Sequence, residues 1–163
     1  MTRIIAFVNQ KGGVAKTTST INIGAGIARA GKRVLLVDLD AQGHLTISLG
    51  IDTYESDKTI YELFKGDINA SNAIVNVDGR YDMIPADIRL SGLEMELSTM
   101  AGREFLLKEI LEPIAANYDY ILLDCPPALG LLTLNALTAA TELFIPIQAE
   151  YLALHGMKQL LQV

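Results

Sequence analysis

The sequence has few of the features that mark disulfide-rich, nucleic-acid-binding or membrane-spanning proteins. Its single cysteine, Cys125, excludes a disulfide framework and a four-cysteine metal site within one chain. Thirteen basic residues against 19 acidic ones leave a net charge of −6, so no basic surface predicts nucleic-acid binding. The longest weakly polar run, residues 128–147, is interrupted by Asn135, Glu142 and Pro146 and falls short of the roughly 20 apolar residues that a membrane span needs. Any contact with DNA must therefore come from a few placed residues or from sequence outside this chain.

Apolar residues, in contrast, are abundant enough to form a substantial core. They make up 50% of the 163 residues, and the mean hydropathy of +0.31 excludes a disordered chain. A chain of this length matches one domain and buries about two thirds of the surface that its unfolded form exposes. Residues 1–8 resemble a strand followed by a polar loop, not a secretory signal. These features predict a soluble, acidic protein of a reducing compartment, the cytoplasm.

Short apolar runs alternate along the chain with longer segments of helical periodicity. Residues 39–57 are polar and predict a loop. The alternation is typical of an α/β fold in which helices cover both faces of a parallel β-sheet. The predicted strands are residues 4–8, 33–38, 81–84, 120–124 and 143–147, and the predicted helices are residues 17–30, 59–65, 103–116 and 131–140. The most amphipathic of these helices predicts a buried face made of Phe105, Leu106, Ile110 and Ile114.

The end of the chain bears on its domain organisation. A further helical pattern begins at residue 153, and no glycine or proline follows Leu161 to end it. We therefore expect residues 1–163 to form a single domain that is the N-terminal portion of a longer fold. The alternative is a complete five-stranded domain with a terminal helix.

A glycine-containing segment between the first strand and the first helix predicts a phosphate-binding loop. Residues 10–18 read Q-K-G-G-V-A-K-T-T. Backbone N–H groups at such a turn and at the helix N-terminus attract an anion, and Gly12 and Gly13 permit positive φ and close backbone approach. Lys16 can reach the β- and γ-phosphates of a nucleotide, and the Thr17 hydroxyl can ligate Mg²⁺.

The strict P-loop pattern G-x-x-x-x-G-K-[ST] does not match, because its glycine positions hold Gln10 and Ala15. The variant K-G-G-x-x-K-T-T matches at all six of its fixed residues. The segment thus resembles the deviant Walker A ATPases, which include the ParA/Soj partition proteins, the MinD regulators and the nitrogenase iron proteins. The resemblance implies that Lys11 reaches the partner's phosphates across a nucleotide-bound dimer. Ala15 replaces the commoner glycine and is expected at negative φ, because its methyl group must fit beside the phosphates.

Two acidic residues end the second predicted strand. Alternation along a strand places Asp38 and Asp40 on the same side, at the sheet edge where ligands bind in parallel α/β folds. Acids beside a phosphate loop suit the water shell of Mg²⁺ and the orientation of an attacking water. Residues 38–44 resemble the D-x-D-P-Q-G-N stretch of ParA/Soj proteins, with Ala41 and His44 as departures. The resemblance implies that Asp40 positions the hydrolytic water and that Asp38 contacts the Mg²⁺ shell, whereas His44 is interpreted as a solvated loop residue.

A third acid, Asp124, ends the apolar strand predicted at residues 120–124. This is the Walker B form, which places a carboxylate beside Mg²⁺. The sequence that follows resembles the D-x-P-P-S-L-G motif of the family, with Ala128 replacing serine, and its proline pair must turn the chain away from the sheet. We interpret Cys125 as a core thiol, since an iron–sulfur cluster of the nitrogenase type needs two cysteines from each subunit.

The ParA/Soj branch is favoured over MinD-like proteins by residues 146–156, which are similar to its P-x-Q-x-E-Y-x-A-L-x-G segment. The resemblance spans residues 4–156 and implies a P-loop ATPase of chromosome or plasmid partitioning. ATP and Mg²⁺ would pair two subunits in a homodimer, and a ParB-type partner would stimulate hydrolysis. The dimer would hold non-specific DNA through sequence beyond residue 163, without membrane contact, in a nucleoid-associated cytoplasmic location.

The resemblance also assigns roles to individual residues. The catalytic residues are Lys11, Lys16 and Asp40, and the metal-binding residues are Thr17, Asp38 and Asp124. Thr18 is expected to bond the α-phosphate. The complete nucleotide-binding set is Lys11, Gly12, Gly13, Val14, Ala15, Lys16, Thr17 and Thr18.

Two other functions remain open on the sequence. One is a MinD-like, membrane-cycling ATPase, which would need an amphipathic C-terminal helix outside this chain. The other is a nucleotide-binding scaffold without turnover, suggested by Ala15, Ala41 and the short chain.

Overall fold

In the part of the chain that the structure describes, the main feature is a mostly parallel β-sheet of six strands. The computed structural model describes residues 1–54 and 56–148. The strand order across the sheet is β3-β4-β2-β5-β1-β6, and only β3 runs antiparallel to its neighbour. The strands are β1 (Arg3–Phe7), β2 (Val34–Asp38), β3 (Val75–Val77), β4 (Tyr81–Ile84), β5 (Tyr120–Asp124) and β6 (Glu142–Phe144).

Helices lie in the connections between the parallel strands. None in the described part of the chain combines the length and apolar character that crossing a bilayer requires. The helices are α1 (Lys16–Arg29), α2 (His44–Ser48), α3 (Ile60–Lys65), α4 (Ala70–Ala73), α5 (Leu93–Glu96), α6 (Leu106–Ala115) and α7 (Leu131–Ala139), with short 3-10 helices at Ile88–Gly92 and Arg103–Phe105.

Alternation along the central strands separates two hydrophobic clusters. In β2, Leu36 belongs to a cluster with residues of α1 and α2, whereas Leu35 faces a larger cluster built mainly from α3 to α7. All five residues of β2 are buried, as expected for a central strand covered on both sides. The predicted arrangement of helices on both faces of a parallel sheet is therefore confirmed.

The segments between residues 39 and 98 contain elements that the sequence analysis did not predict. The helix α2 forms inside the predicted loop, and β3 pairs with β4 through a turn at Asp78 and Gly79. Both turn residues have positive φ, 52° and 69°, the conformation that a tight hairpin turn requires. The last predicted strand, residues 143–147, is in fact Glu142–Phe144. The helix predicted from residue 153 lies outside the described residues.

The buried face of α6 matches the predicted one in part, because Ile114 is buried and Leu106 and Ile110 are half-buried against the core. Leu107, Leu111 and Ile114 are buried at i, i+4 and i+7, whereas Phe105 is 46% exposed. The chain enters α6 through a 3-10 helix at Arg103–Phe105.

Register brings the ends of three strands together. Phe7 on β1 and Asp38 on β2 both lie opposite Asp124 on β5. Because the strands are parallel, the loops that follow all three leave the same edge of the sheet. The fold thus gathers the predicted phosphate loop and both strand-terminal acids at one place.

Replacing Gly24 in α1 with alanine tests how closely this helix packs on the sheet. A Cβ there would lie 2.7 Å from Leu36 Cδ2 and 3.3 Å from Leu122 Cδ1, and both leucines are fully buried. Gly26→Ala, in the same helix, is the matched control, because a Cβ there meets no atom within 4 Å. We expect the Gly24 variant to be less stable than the Gly26 variant by about 1–3 kcal/mol in urea unfolding. Equal stabilities would contradict the close packing.

Candidate functional site

The loop between β1 and α1 forms an open cradle of backbone. Gly12 and Gly13 are exposed, and a Cβ added at either position would meet no atom within 4 Å. Gly13 has a φ of 73°, so the loop uses the conformational freedom of glycine there. Space in front of the backbone at a helix N-terminus is the local geometry that phosphate groups need.

Ala15 contradicts the predicted negative φ. It is the N-cap of α1 and adopts the left-handed conformation, with φ 65° and ψ 33°. The chain must turn sharply here so that the next amides enter the helix, and the methyl group of Ala15 remains exposed. The commoner glycine would adopt this conformation without strain, whereas alanine costs about 1 kcal/mol or more.

Lys16 begins α1 and is buried beneath the loop. Lys16 is only 8% exposed, and its Nζ donates to the carbonyl oxygen of Lys11 at 3.4 Å. An ammonium group has three protons to donate, and this long contact uses one of them. The site can therefore offer a buried positive charge to an anion bound in the cradle.

The far side of the loop is fastened to the segment after β6. Gln148 accepts from Lys11 Nζ at 2.8 Å and donates to the Gly13 carbonyl at 3.1 Å. Asn9 adds a second link, because its side chain accepts from the Lys11 amide and donates to the Pro146 carbonyl. The hydrogen bonds to Pro146 and from Lys11 to Gln148 join residues 137 positions apart in the sequence, and they hold Lys11 in place.

Asp124 binds directly to the first turn of α1. Thr17 Oγ1 donates to Asp124 Oδ2 at 2.6 Å, and Thr20 Oγ1 lies 3.4 Å from Asp124 Oδ1. Thr18 points outward on the same helix and is exposed. The phosphate loop and the Walker B acid are therefore joined by hydrogen bonds between side chains.

Asp38 is fully buried on the neighbouring strand, where both of its oxygens accept hydrogen bonds. Oδ1 accepts from the Asp40 amide at 3.0 Å. Oδ2 accepts from the amide and the hydroxyl of Thr46, at 3.0 and 2.7 Å. The half-buried Asp40 follows, and its carboxylate accepts from the Gln42 amide.

Burial raises the pKa of both carboxyl groups at the strand ends, Asp124 and Asp38. Desolvation raises the pKa of Asp124 to about 7, and the charges of Asp38 and Asp40 add to the rise, while Thr17 and Lys16 oppose it. Desolvation likewise raises the pKa of Asp38 to about 6, against the hydrogen bonds from Thr46 and Asp40. A cation bound nearby would favour the ionised forms of both.

The predicted metal residues fit an ion that shares its ligands with phosphate and water. No group of three or more His, Cys, Asp or Glu side chains within residues 1–54 and 56–148 is arranged to hold a metal by itself. Mg²⁺ commonly takes one or two protein oxygens and completes its shell with water and phosphate. The Thr17 hydroxyl and the Asp124 carboxylate could supply such protein oxygens. Asp38, on the neighbouring strand β2, lies directly opposite Asp124.

The structure brings the predicted site residues to one edge of the sheet and adds others that the sequence analysis did not assign. Asn9, Thr20, Thr46 and Gln148 contact predicted site residues directly. Gln148 lies in a segment noted only as a family signature, and Thr46 lies in the predicted loop. Cys125 is buried with a raised pKa caused by desolvation, in agreement with a core thiol.

A parallel sheet with a phosphate loop after β1 and a Walker B acid at the end of β5 defines a P-loop nucleotide-binding protein. The family model described as an AAA domain matches residues 2–163. The chain belongs to this family and is a ParA/Soj-type homologue within it, which confirms the predicted resemblance.

Curated relatives include chromosome-partitioning proteins. The chain is 50% identical to the sporulation initiation inhibitor protein Soj of Bacillus subtilis, over 99% of this chain and 64% of the relative. It is 46% identical to the chromosome partitioning protein ParA of Caulobacter vibrioides, over 98% of this chain and 61% of the relative. The chain thus spans less than two thirds of the length of these relatives.

Solved structures share the fold closely. A Mycobacterium smegmatis protein described as cobyrinic acid a,c-diamide synthase, with bound ADP and magnesium, is 48% identical with a TM-score of 0.95, over 99% of this chain and 66% of that one. A plasmid partition protein from Borrelia burgdorferi is 30% identical with a TM-score of 0.90, over 99% and 71% of the two chains.

Replacing Asp124 with asparagine tests the buried carboxyl in protein free of metal and nucleotide. A raised pKa in the folded state means that stability falls as pH rises from about 4, the unfolded value, through about 7. We expect Asp124→Asn to be more stable than the unsubstituted protein at pH 8, by about 1–3 kcal/mol, and to lose this advantage near pH 4.

Urea unfolding in EDTA at several pH values measures the difference. Asp119→Asn is the control, because Arg33 lowers the pKa of the partly exposed Asp119 to about 2, so that this acid favours the folded state above pH 4. The control should show no gain at pH 8. A pH-independent effect of Asp124→Asn would contradict the raised pKa.

Proposed function

We propose that this chain is the nucleotide-binding portion of a Mg-ATP-dependent ATPase of chromosome or plasmid partitioning. The observation that carries the proposal is the junction at which Thr17 Oγ1 donates to Asp124 at 2.6 Å, directly after the buried Lys16. This junction joins the backbone cradle, the buried Lys16 ammonium and the acid that we propose to bind the metal. Similarity to Soj and ParA supports the partitioning role.

ATP and Mg²⁺ are the proposed ligands. Neighbouring structures support them, since the Mycobacterium smegmatis protein contains an ATP analogue and magnesium, and a Borrelia burgdorferi plasmid partition protein contains AMPPNP. The loop amides and Lys16 would hold the phosphates, with Thr18 at the α-phosphate and Thr17, Asp124 and Asp38 around the metal. Bound Mg²⁺ would neutralise charge on the phosphate oxygens.

Hydrolysis would use residues at both ends of the site. Asp40 would orient a water for in-line attack on the γ-phosphate. Its amide donates to Asp38, and within the described part of the chain its carboxylate accepts one hydrogen bond, from the Gln42 amide. Lys16 and Lys11 would stabilise the charge that spreads over the γ-phosphate oxygens.

The proposed function also includes a homodimer, DNA and a partner protein. Lys11, exposed at the rim of the cradle, would reach the nucleotide of a second copy in an ATP-dependent homodimer. Non-specific DNA would bind through sequence outside residues 1–163, because this chain carries a net charge of −6. A ParB-type protein would stimulate hydrolysis, and DNA binding would give a nucleoid-associated location.

Two other functions are separable by experiment. A synthase activity is suggested by the name of the Mycobacterium smegmatis neighbour, which is 48% identical. A partition ATPase releases phosphate from ATP without a third substrate, whereas a synthase couples that release to bond formation. A nucleotide-binding scaffold releases no phosphate at all. Steady-state phosphate release from ATP alone therefore distinguishes the partition ATPase from the other two.

Removing the buried cation should weaken nucleotide binding. Lys16→Ala deletes a charge-assisted contact worth about 1.5–3 kcal/mol, so we expect ATP affinity to fall roughly ten- to a hundredfold. Titration calorimetry with ATP and Mg²⁺ measures the affinity. Lys32→Ala, at an exposed lysine after α1, should bind ATP normally. Unchanged ATP affinity in Lys16→Ala would refute the role of Lys16.

Asp40 and Lys11 should separate hydrolysis from assembly. Asp40→Ala should bind ATP, hydrolyse it about a hundredfold more slowly and accumulate as a dimer, because this acid orients water and does not hold phosphate. Lys11→Ala should remain monomeric with ATP. Size-exclusion chromatography with ATP and Mg²⁺, beside phosphate release, measures both. A Lys11→Ala protein that dimerises with ATP would rule out the cross-dimer contact.

A further inference from the structure

Asp38 is an acid without freedom to move. It is fully buried, and its side chain accepts three hydrogen bonds at its two oxygens. Two come from Thr46 and one comes from the Asp40 amide. Asp38 therefore lies between Thr46 on one side and the backbone of the proposed water-orienting residue on the other.

The hydroxyl of Thr46 has a defined direction. Its oxygen accepts from the Ala86 amide at 3.0 Å, and a hydroxyl carries one proton. That proton is donated to Asp38 Oδ2 at 2.7 Å. Thr46 is 1% exposed and Ala86 is equally buried, so water does not compete at either hydrogen bond. The hydroxyl thus joins the end of β2 to the segment after β4.

The loop between Asp38 and Thr46 is folded back so that this contact can form. Gly43 has a φ of 61° and its amide donates to the Asp40 carbonyl at 2.8 Å. A Cβ on Gly43 would lie 3.4 Å from the Ala86 carbonyl oxygen, so the loop approaches Ala86 closely. Asp40 is therefore fixed at its amide by Asp38 and at its carbonyl by Gly43.

We propose that Thr46 is a positioning residue for the site, whose hydroxyl orients Asp38 and thereby fixes the backbone of Asp40. The proposal rests on the proposed function for the role of Asp40, whereas the geometry it describes belongs to the protein without ligand. Thr46 itself makes no contact with the phosphate loop among the described hydrogen bonds. Its effect on turnover would therefore pass through Asp38.

Loss of the hydroxyl has two structural consequences. Asp38 loses its shortest hydrogen bond, and the buried Ala86 amide loses its acceptor. A buried amide without a partner favours local opening, which admits water to the loop at residues 38–46. Asp40 would then sample more orientations while the phosphate loop, on the other side of β5, keeps its structure.

Three variants separate positioning from general stability. Thr46→Val keeps the shape and removes the hydroxyl, and Thr46→Ser restores a hydroxyl at the same position. Thr138→Val is the matched control, because its hydroxyl donates to the Glu104 carbonyl in the helical layer, away from the acids. All three are compared at equal concentrations of folded protein, measured by circular dichroism.

Hydrogen exchange of the protein without nucleotide is the first measurement. In Thr46→Val we expect the peptide containing Ala86 to exchange at least about tenfold faster, together with the peptide containing Asp40. The peptide containing residues 11–17 should keep its rate. Thr46→Ser should restore the slow exchange, and Thr138→Val should leave both peptides unchanged. Unaltered exchange in Thr46→Val, or equal acceleration in Thr138→Val, would overturn the proposal.

Turnover is the second measurement. We expect kcat of Thr46→Val to fall about 10- to 100-fold while the KM for ATP changes by less than about twofold, with recovery in Thr46→Ser. Equal kcat in Thr46→Val and the unsubstituted protein would overturn the link to Asp40. Absence of turnover in the unsubstituted protein would count against the proposed function alone, since the exchange measurement needs no ATP hydrolysis.

Discussion

Two carboxylates buried at the ends of adjacent strands are the constraint on which the rest of this structure depends. Asp38 and Asp124 are at most 1% exposed and lie opposite each other in the sheet. A buried acid needs hydrogen-bond donors, and here threonines on α1 and α2 supply them. The loops after β1 and β2 are thus fixed to the sheet by the same side chains that would serve ligand chemistry.

This arrangement lowers the stability of the folded protein at the same site that would bind ligand. Burial raises the pKa of both acids, so their ionised forms weaken the folded state at neutral pH. Ala15, at positive φ, adds backbone strain at the same place. A bound cation would relieve the first of these costs, because it favours the charged forms of the two acids. Away from this edge, alternating leucines and valines fill both faces of the sheet.

The central strands and the loop before α1 could be predicted because each depends on residues that are close together in the sequence. The buried runs of β2 and β5 and the loop before α1 were read from composition and spacing alone. The hairpin of β3 and β4 was missed, although Asp78 and Gly79 form the dipeptide typical of such a turn. Ala15 was assigned the wrong sign of φ because ligand fit was considered and the turn into α1 was not. The roles of Gln148 and Thr46 depend on contacts between distant segments, which spacing does not reveal.

The hydrogen bonds around Asp38 and Asp40 favour a catalytic site over a scaffold that only binds nucleotide. The Asp38 carboxylate accepts three hydrogen bonds, whereas the carboxylate of the half-buried Asp40 accepts a single one among the described residues, from the Gln42 amide of its own loop. A scaffold that only binds nucleotide has no need to fix the backbone of such an acid. The amide of Asp40 donates to a buried carboxylate, and its carbonyl accepts from Gly43. The backbone is fixed while an oxygen of the side chain remains able to accept a further hydrogen bond, as the proposed water-orienting role of Asp40 would require.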